Sequence, residues 1–131
     1  MGGRVTLQSG PRVRPHSVIL IEASPPGEIQ GFNPEIRLVE GTFDPEAVYG
    51  PFPAGVRAWP ESSWARAERK RGVSVPGCPC PSLVIYGDEF SVERGTAIAR
   101  HYGSEERSFP GLDHWGLVFD AQVRHTIAAF L

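Results

Sequence analysis

Charge of one sign is what this 131-residue sequence has least of. Thirteen Lys and Arg stand against fifteen Asp and Glu, a formal net charge of −2. No basic field therefore favours nucleic acid or an anionic membrane surface, and neither is an expected partner. Long apolar runs are missing too, and nothing approaches the roughly 18 residues of a membrane span. The opening Met1-Gly2-Gly3-Arg4 carries no apolar stretch of the secretory kind, so the cytoplasm is the expected compartment. Cysteine is limited to Cys78 and Cys80, flanking Pro79. A disulfide across a single residue is strained. Two thiolates with no His pair at ligand spacing do not make a zinc site. No metal or cofactor is expected, and Cys80-Pro81 reads as the approach to a buried strand, where Cys behaves as a small apolar residue. The sequence also lacks internal repeats and low-complexity tracts.

What is present suits one α/β domain with one core. Hydrophobic residues make up 40% of the chain, and 15 Gly with 13 Pro predict much loop. Ser17 to Ala23 holds the continuous apolar run Val18-Ile19-Leu20-Ile21, as in a strand covered on both faces. Leu83 to Tyr86 is a second such strand, closed by Gly87-Asp88-Glu89. A helix is expected over roughly residues 3–10, with Pro11 ending it. Residues 27–60 are poorly periodic and rich in Pro and Gly, with Phe43, Tyr49, Phe52 and Trp59 scattered through them. A cap or lid over a pocket is one meaning, and an ordered insertion packed on the sheet is the other. Ile36 to Val39 is a candidate short strand inside it. Pro60-Glu61-Ser62-Ser63 opens a helix that runs to about Arg71, with Ser62 or Ser63 as N-cap and Gly72 at its end. Its basic cluster is a solvated face.

Downstream, Ser91 caps a helix from Val92 to Tyr102, and Gly95 permits close approach to the sheet. Glu105 to Phe109 is a short, charged edge strand. Asp120 caps the last helix, whose apolar face is Val123, Ile127 and Phe130. Strand, acidic turn, helix and His-bearing loop form α/β units, and in such sheets chemistry sits at the carboxyl ends of strands. Asp88 and His114 both fall there.

From Cys80 to Leu131 the chain resembles the C-terminal half of an α/β-hydrolase. The matching features are Cys80-Pro81 before an apolar strand, Gly87-Asp88-Glu89 at its end, Tyr102-Gly103 after the helix, Pro110-Gly111 ahead of Asp113-His114-Trp115, and the terminal amphipathic helix. Met1-Gly2-Gly3 is similar to the last part of that family's Gly-x-Ser-x-Gly nucleophile elbow. The resemblance implies a partial hydrolase fold: about three parallel strands with flanking helices and a loop-rich cap. Residues 1–27 would be the post-elbow helix and strand, 28–75 the cap insertion, and 76–131 the strand-helix-strand-helix unit with acid and His. It also implies that the nucleophilic serine precedes Met1. No serine present has the elbow setting, and Ser9, Ser17 and Ser24 are expected to be structural.

The implied chemistry is a Ser–acid–His relay acting on an ester, amide or similar acyl substrate. Imidazole takes the serine proton, and a carboxylate holds its tautomer and steadies the imidazolium. His114 is the expected base. Phe90 occupies the place where the family more often has Asp, so Asp88 is the first choice of acid and Glu89 the second. Glu22 is the only carboxylate at the end of the preceding strand, from which the family sometimes draws its acid. Asp113 is expected to be structural. The backbone N–H of Met1 would be an oxyanion donor. Phe90 and Trp115, with Phe52 or Trp59 from the cap, would line the acyl pocket. Without the serine the chain is expected to be inactive alone. The alternative is a non-catalytic binding module that dimerises through an exposed sheet edge.

Overall fold

Along the chain run helix α1 (Gly2–Val13), strand β1 (Val18–Ile21), helix α2 (Gly27–Gln30), strand β2 (Thr42–Phe43), helix α3 (Pro45–Tyr49), strand β3 (Glu61–Ser62), helix α4 (Ser63–Arg71), strand β4 (Ser82–Tyr86), helix α5 (Val92–Tyr102), strand β5 (Glu105–Ser108), helix α6 (His114–Phe119) and helix α7 (Ala121–Phe130). The computed structural model describes residues 2–57, 59–77, 79–88 and 92–131, the side chains of Arg4, Tyr49 and Val92 apart. Met1, Cys78, Glu89, Phe90 and Ser91, named above, lie outside the described residues.

The two apolar runs lie side by side. A three-stranded parallel sheet has the order β1-β4-β5, with Ile19 level with Leu83 and Ile85 level with Arg107. Its class is α/β. Alternation along the strands splits the core in two. Val18, Leu20, Val84 and Tyr86 face α1 and α5 through Leu7, Ile98 and Ala99. Leu83 and Ile85 face α6 and α7 through Leu117 and Val123, with Ile19, Ile21 and Ile127 packed around them. Leu20, Leu83, Ile85 and Leu117 are fully buried, and each such side chain stabilises the fold by about 1.5–3 kcal/mol. Gly95 lets α5 settle onto the sheet, because a Cβ there would fall onto the Tyr86 ring. Gly3 does the same for α1 against Ala23.

The sheet's two outer strands differ. β5 is exposed along its length, with Glu105, Glu106 and Arg107 as charged guards. β1 has no strand on its outer side among the described residues. Val18 and Glu22 donate their N–H groups toward β4, to Pro81 and Ile85. The backbone groups of Ile19 and Ile21 therefore point the other way, to the open edge.

Three expectations are corrected. Pro11 lies inside α1, which continues to Val13. Proline removes one hydrogen bond, and near the end of a helix that loss is tolerated; Arg14, at φ 49, makes the actual stop while still donating to Gly10. Ile36 to Val39 forms no strand. Val39 is 56% exposed, and the paired strands of this region are β2 and β3, antiparallel, with Phe43 opposite Glu61. Finally, His114 is not in a loop but is the first residue of α6. Asp113 accounts for this: its carboxylate accepts the Gly116 N–H at 2.7 Å, a helix N-cap.

Other caps agree with the sequence. Ser62 is the N-cap of α4, accepting from Ala65 N–H, and Gly72 ends that helix at φ 83. Asp120 caps α7, accepting from Gln122 and Val123. No helix among the described residues is long and apolar enough to cross a membrane.

Candidate active site at the carboxyl ends of the strands

All three strands of the parallel sheet point their carboxyl ends the same way, so the segments that follow them meet. These are Glu22 after β1, Gly87-Asp88 after β4, and Phe109 to His114 after β5. Backbone hydrogen bonds join them. Phe109 N–H donates to Tyr86 O at 2.9 Å, and Asp88 N–H donates to Leu112 O at 2.9 Å. The Asp88 carboxylate also accepts the N–H of Gly111. Gly87 is buried against this turn, and a Cβ on it would overlap the Leu112 carbonyl. Only glycine allows the two backbones so close.

The Asp88 carboxylate is thus held at Gly111, three residues before His114. It is exposed, and none of the described hydrogen bonds joins it to His114 itself. His114 is half-buried, with Nδ1 inaccessible to solvent. Its ring meets Trp115 edge-on at 5.7 Å. Trp115 in turn meets Phe52 at 5.3 Å and 74°. Phe52 belongs to the loop-rich 28–75 segment, so this segment reaches the histidine's immediate surroundings. Trp59 does not share in this. It is 64% exposed with the Arg57 guanidinium 4.2 Å over its ring, and no described ring contact joins it to Trp115.

Glu22 is the residue whose conformation the sequence hid. It adopts φ 46, the left-handed region, where a side chain other than glycine costs about 1–2 kcal/mol. One carboxylate oxygen, Oε1, accepts the Gly87 N–H at 2.7 Å. The other, Oε2, is buried with no hydrogen-bond partner among the described residues. An acid directly after four apolar strand residues was the only signal, and it reads equally well as a solvated strand end.

A cleft of about 510 Å³ opens beside Glu22, between α2, the end of α4 and the first turns of α5. Arg69, Lys70, Glu93 and Arg94 line it, and His114 and Trp115 do not. A second cleft lies around Ser74 and Tyr102. The Ser74 hydroxyl holds the Glu28 carboxyl below its usual range. Burial, then the Glu28 charge, pushes the Tyr102 phenol up to about 12.

Chemically, the junction offers an imidazole with one buried nitrogen, two carboxylates on neighbouring strand ends, and an aromatic pair beside them. Among the described residues no cluster of His, Cys, Asp and Glu could hold a metal ion. No protein-family model matches the sequence, and no curated protein or solved structure matches it either.

Proposed function

We propose that this chain carries the acid–histidine part of a serine hydrolase of the α/β-hydrolase kind. One observation supports the reading above the others: the turn bearing Asp88 and the turn leading to His114 are bonded to each other at the carboxyl ends of adjacent parallel strands. Open parallel sheets hold their ligands at that end. In this reading His114 takes the proton of a serine hydroxyl and returns it to the leaving group. A carboxylate of the junction holds the imidazole tautomer and steadies its cation. Trp115 and Phe52 form an apolar wall for the acyl part of an ester or amide. No serine of the 131 residues stands in a Gly-x-Ser-x-Gly setting, so the nucleophile is assigned to none of them and the chain alone is inactive.

The test is hydrolysis of a short-chain aryl ester by the purified chain, with and without a serine-directed phosphonate. No turnover is the expected result. Turnover that His114→Ala abolishes and the phosphonate leaves untouched would overturn the reading. A second reading has its own observation, the open outer edge of β1: a non-catalytic module that associates with a second copy there. Light scattering separates the two, since that reading requires a dimer that a proline at Ile19 or Ile21 dissolves.

A further inference from the structure

We propose that the cleft between α2, the end of α4 and α5 is a binding site for a small organic carboxylate, separate from the junction that holds His114. The proposal does not rest on the acid–histidine reading. Three observations carry it. The first is position. The cleft opens at the carboxyl end of β1, between the helices that follow β1 and β4. Open parallel sheets take ligands in such crevices. Its volume of about 510 Å³ suits a small molecule.

The second is a wall of set shape. The Gln30 side-chain amide donates to the Arg69 carbonyl at 2.6 Å. Asn33 N–H donates to Arg71 O at 2.7 Å, and Gly27 N–H donates to Val73 O at 2.9 Å. These bonds tie α2 and its flanks to the end of α4. A Cβ on Gly72 would overlap the Gly31 carbonyl, so the two segments meet backbone to backbone. Arg69 and Lys70, in the last turn of α4, are thereby fixed on one wall, and Arg94 lines the cleft from α5.

The third is charge. Arg69, Lys70 and Arg94 line the cleft with two carboxylates, Glu22 and Glu93. The Glu22 carboxylate is turned to β4, where Oε1 accepts the Gly87 N–H and Oε2 is buried. Lys70 is exposed and takes part in no ion pair among the described residues. Arg69 and Arg94 each have a partner within the protein, but a guanidinium carries five donors, enough for such a partner and a carboxylate together. Three cations against two carboxylates suit a monoanion. A phosphate dianion fits less well, because the wall is the carbonyl end of α4, where the helix dipole is negative. Ala23, Pro25, Ile29 and Ala97 supply apolar surface for a short hydrocarbon body.

The measurement is a ¹H–¹⁵N titration of the full chain with hexanoate, at constant ionic strength and about pH 7, where the carboxylate is ionised. The reporters are the Gln30 side-chain amide and the Ala97 backbone amide, both at the cleft. The Gly116 amide, in α6 beside His114, is the reference. Hexanoate is expected to shift the first two saturably and leave the third unmoved. Hexan-1-ol, of the same chain length without the charge, is expected to shift none. Lys70→Gln, at an exposed position, weakens hexanoate binding about tenfold, and Arg94→Gln at least as much. Arg12→Gln, on α1 and outside the cleft, leaves it unchanged. The wild-type map and Lys70→Gln decide the matter if Arg94→Gln fails to fold. The site is overturned by any of three results: no saturable shift with hexanoate, equal binding of hexan-1-ol, or full affinity in Lys70→Gln. Tighter binding of hexyl phosphate than of hexanoate overturns the choice of carboxylate. Shifts at Gly116 with none at Ala97 overturn the cleft and put the acid at the His114 junction.

Discussion

Replacing Gly87 by alanine tests the junction that positions the site. A single Cβ would overlap the Leu112 carbonyl oxygen and come within 3.0 Å of its carbon. Neither is the tip of a flexible side chain, so one backbone segment must move. Forcing a methyl into packed backbone costs about 1–3 kcal/mol. The movement also pulls on two hydrogen bonds, Asp88 N–H to Leu112 and Glu22 Oε1 from Gly87 N–H. Each contributes about 1 kcal/mol. Together Gly87→Ala should destabilise the fold by roughly 3–5 kcal/mol, a large part of the 5–15 kcal/mol typical of a domain. Gly111→Ala is the control. It has φ 85 and open space around the added carbon, so it carries only the left-handed penalty of about 1–2 kcal/mol. Urea unfolding followed by the fluorescence of Trp59, Trp64 and Trp115 reads both. With a slope of about 2 kcal/mol per molar, the Gly87 variant loses about 2 M in midpoint. Equal midpoints for the two variants would refute the idea that close backbone contact joins the strand ends.

Three further outcomes are expected. The phenol of Tyr102 is pushed up to about 12, so the folded state keeps a proton that the unfolded chain releases. Its stabilisation is complete below the ordinary tyrosine range and disappears as pH rises toward 12. Two units correspond to about 2.7 kcal/mol, and solvent screening of this half-exposed ring reduces that to about 1. Urea curves at about pH 9 and 12 should show this loss in the wild type and not in Tyr102→Phe. Asp113→Ala removes the cap that starts α6 at His114 and should cost about 1 kcal/mol, with faster exchange of the Gly116 amide. Asp120→Ala, which caps α7 through two N–H groups, should cost at least as much without changing that amide. Phe52→Ala removes an edge-on ring contact worth about 0.5–1.5 kcal/mol beyond its area, and Trp115 emission should shift to the red.

Legibility in the sequence followed physical cause. Val18 to Ile21 and Leu83 to Tyr86 were readable because strands buried on both faces need unbroken apolar runs. The α5 and α7 helices were readable from their periodicity, and Gly95 from its place against the sheet. Of residues 28–75 only helix α4, with its Ser62 cap, was readable. The short strands β2 and β3 span two residues each, too few for alternation to register, while Ile36 to Val39, half-buried at Ile36 and Leu38 and exposed at Arg37 and Val39, imitated a strand. The site divided in the same way. Asp88 and His114 stood out by following strands, and the Asp113 cap was present as an Asp three residues before a helical N–H. It was not expected because the sequence reading places His114 in a loop rather than at a helix start. For Glu22 the acid after four apolar residues said nothing of conformation, since what holds it is Gly87, 65 residues away in the chain.

The contrast between the two rims of the sheet has a directional consequence. Glu105, Glu106 and Arg107 make one rim hostile to any incoming backbone, while the rim at Ile19 and Ile21 offers amides and carbonyls beneath two isoleucines. Lateral growth is therefore one-sided, and whatever adds there would lie next to the strand that delivers Glu22.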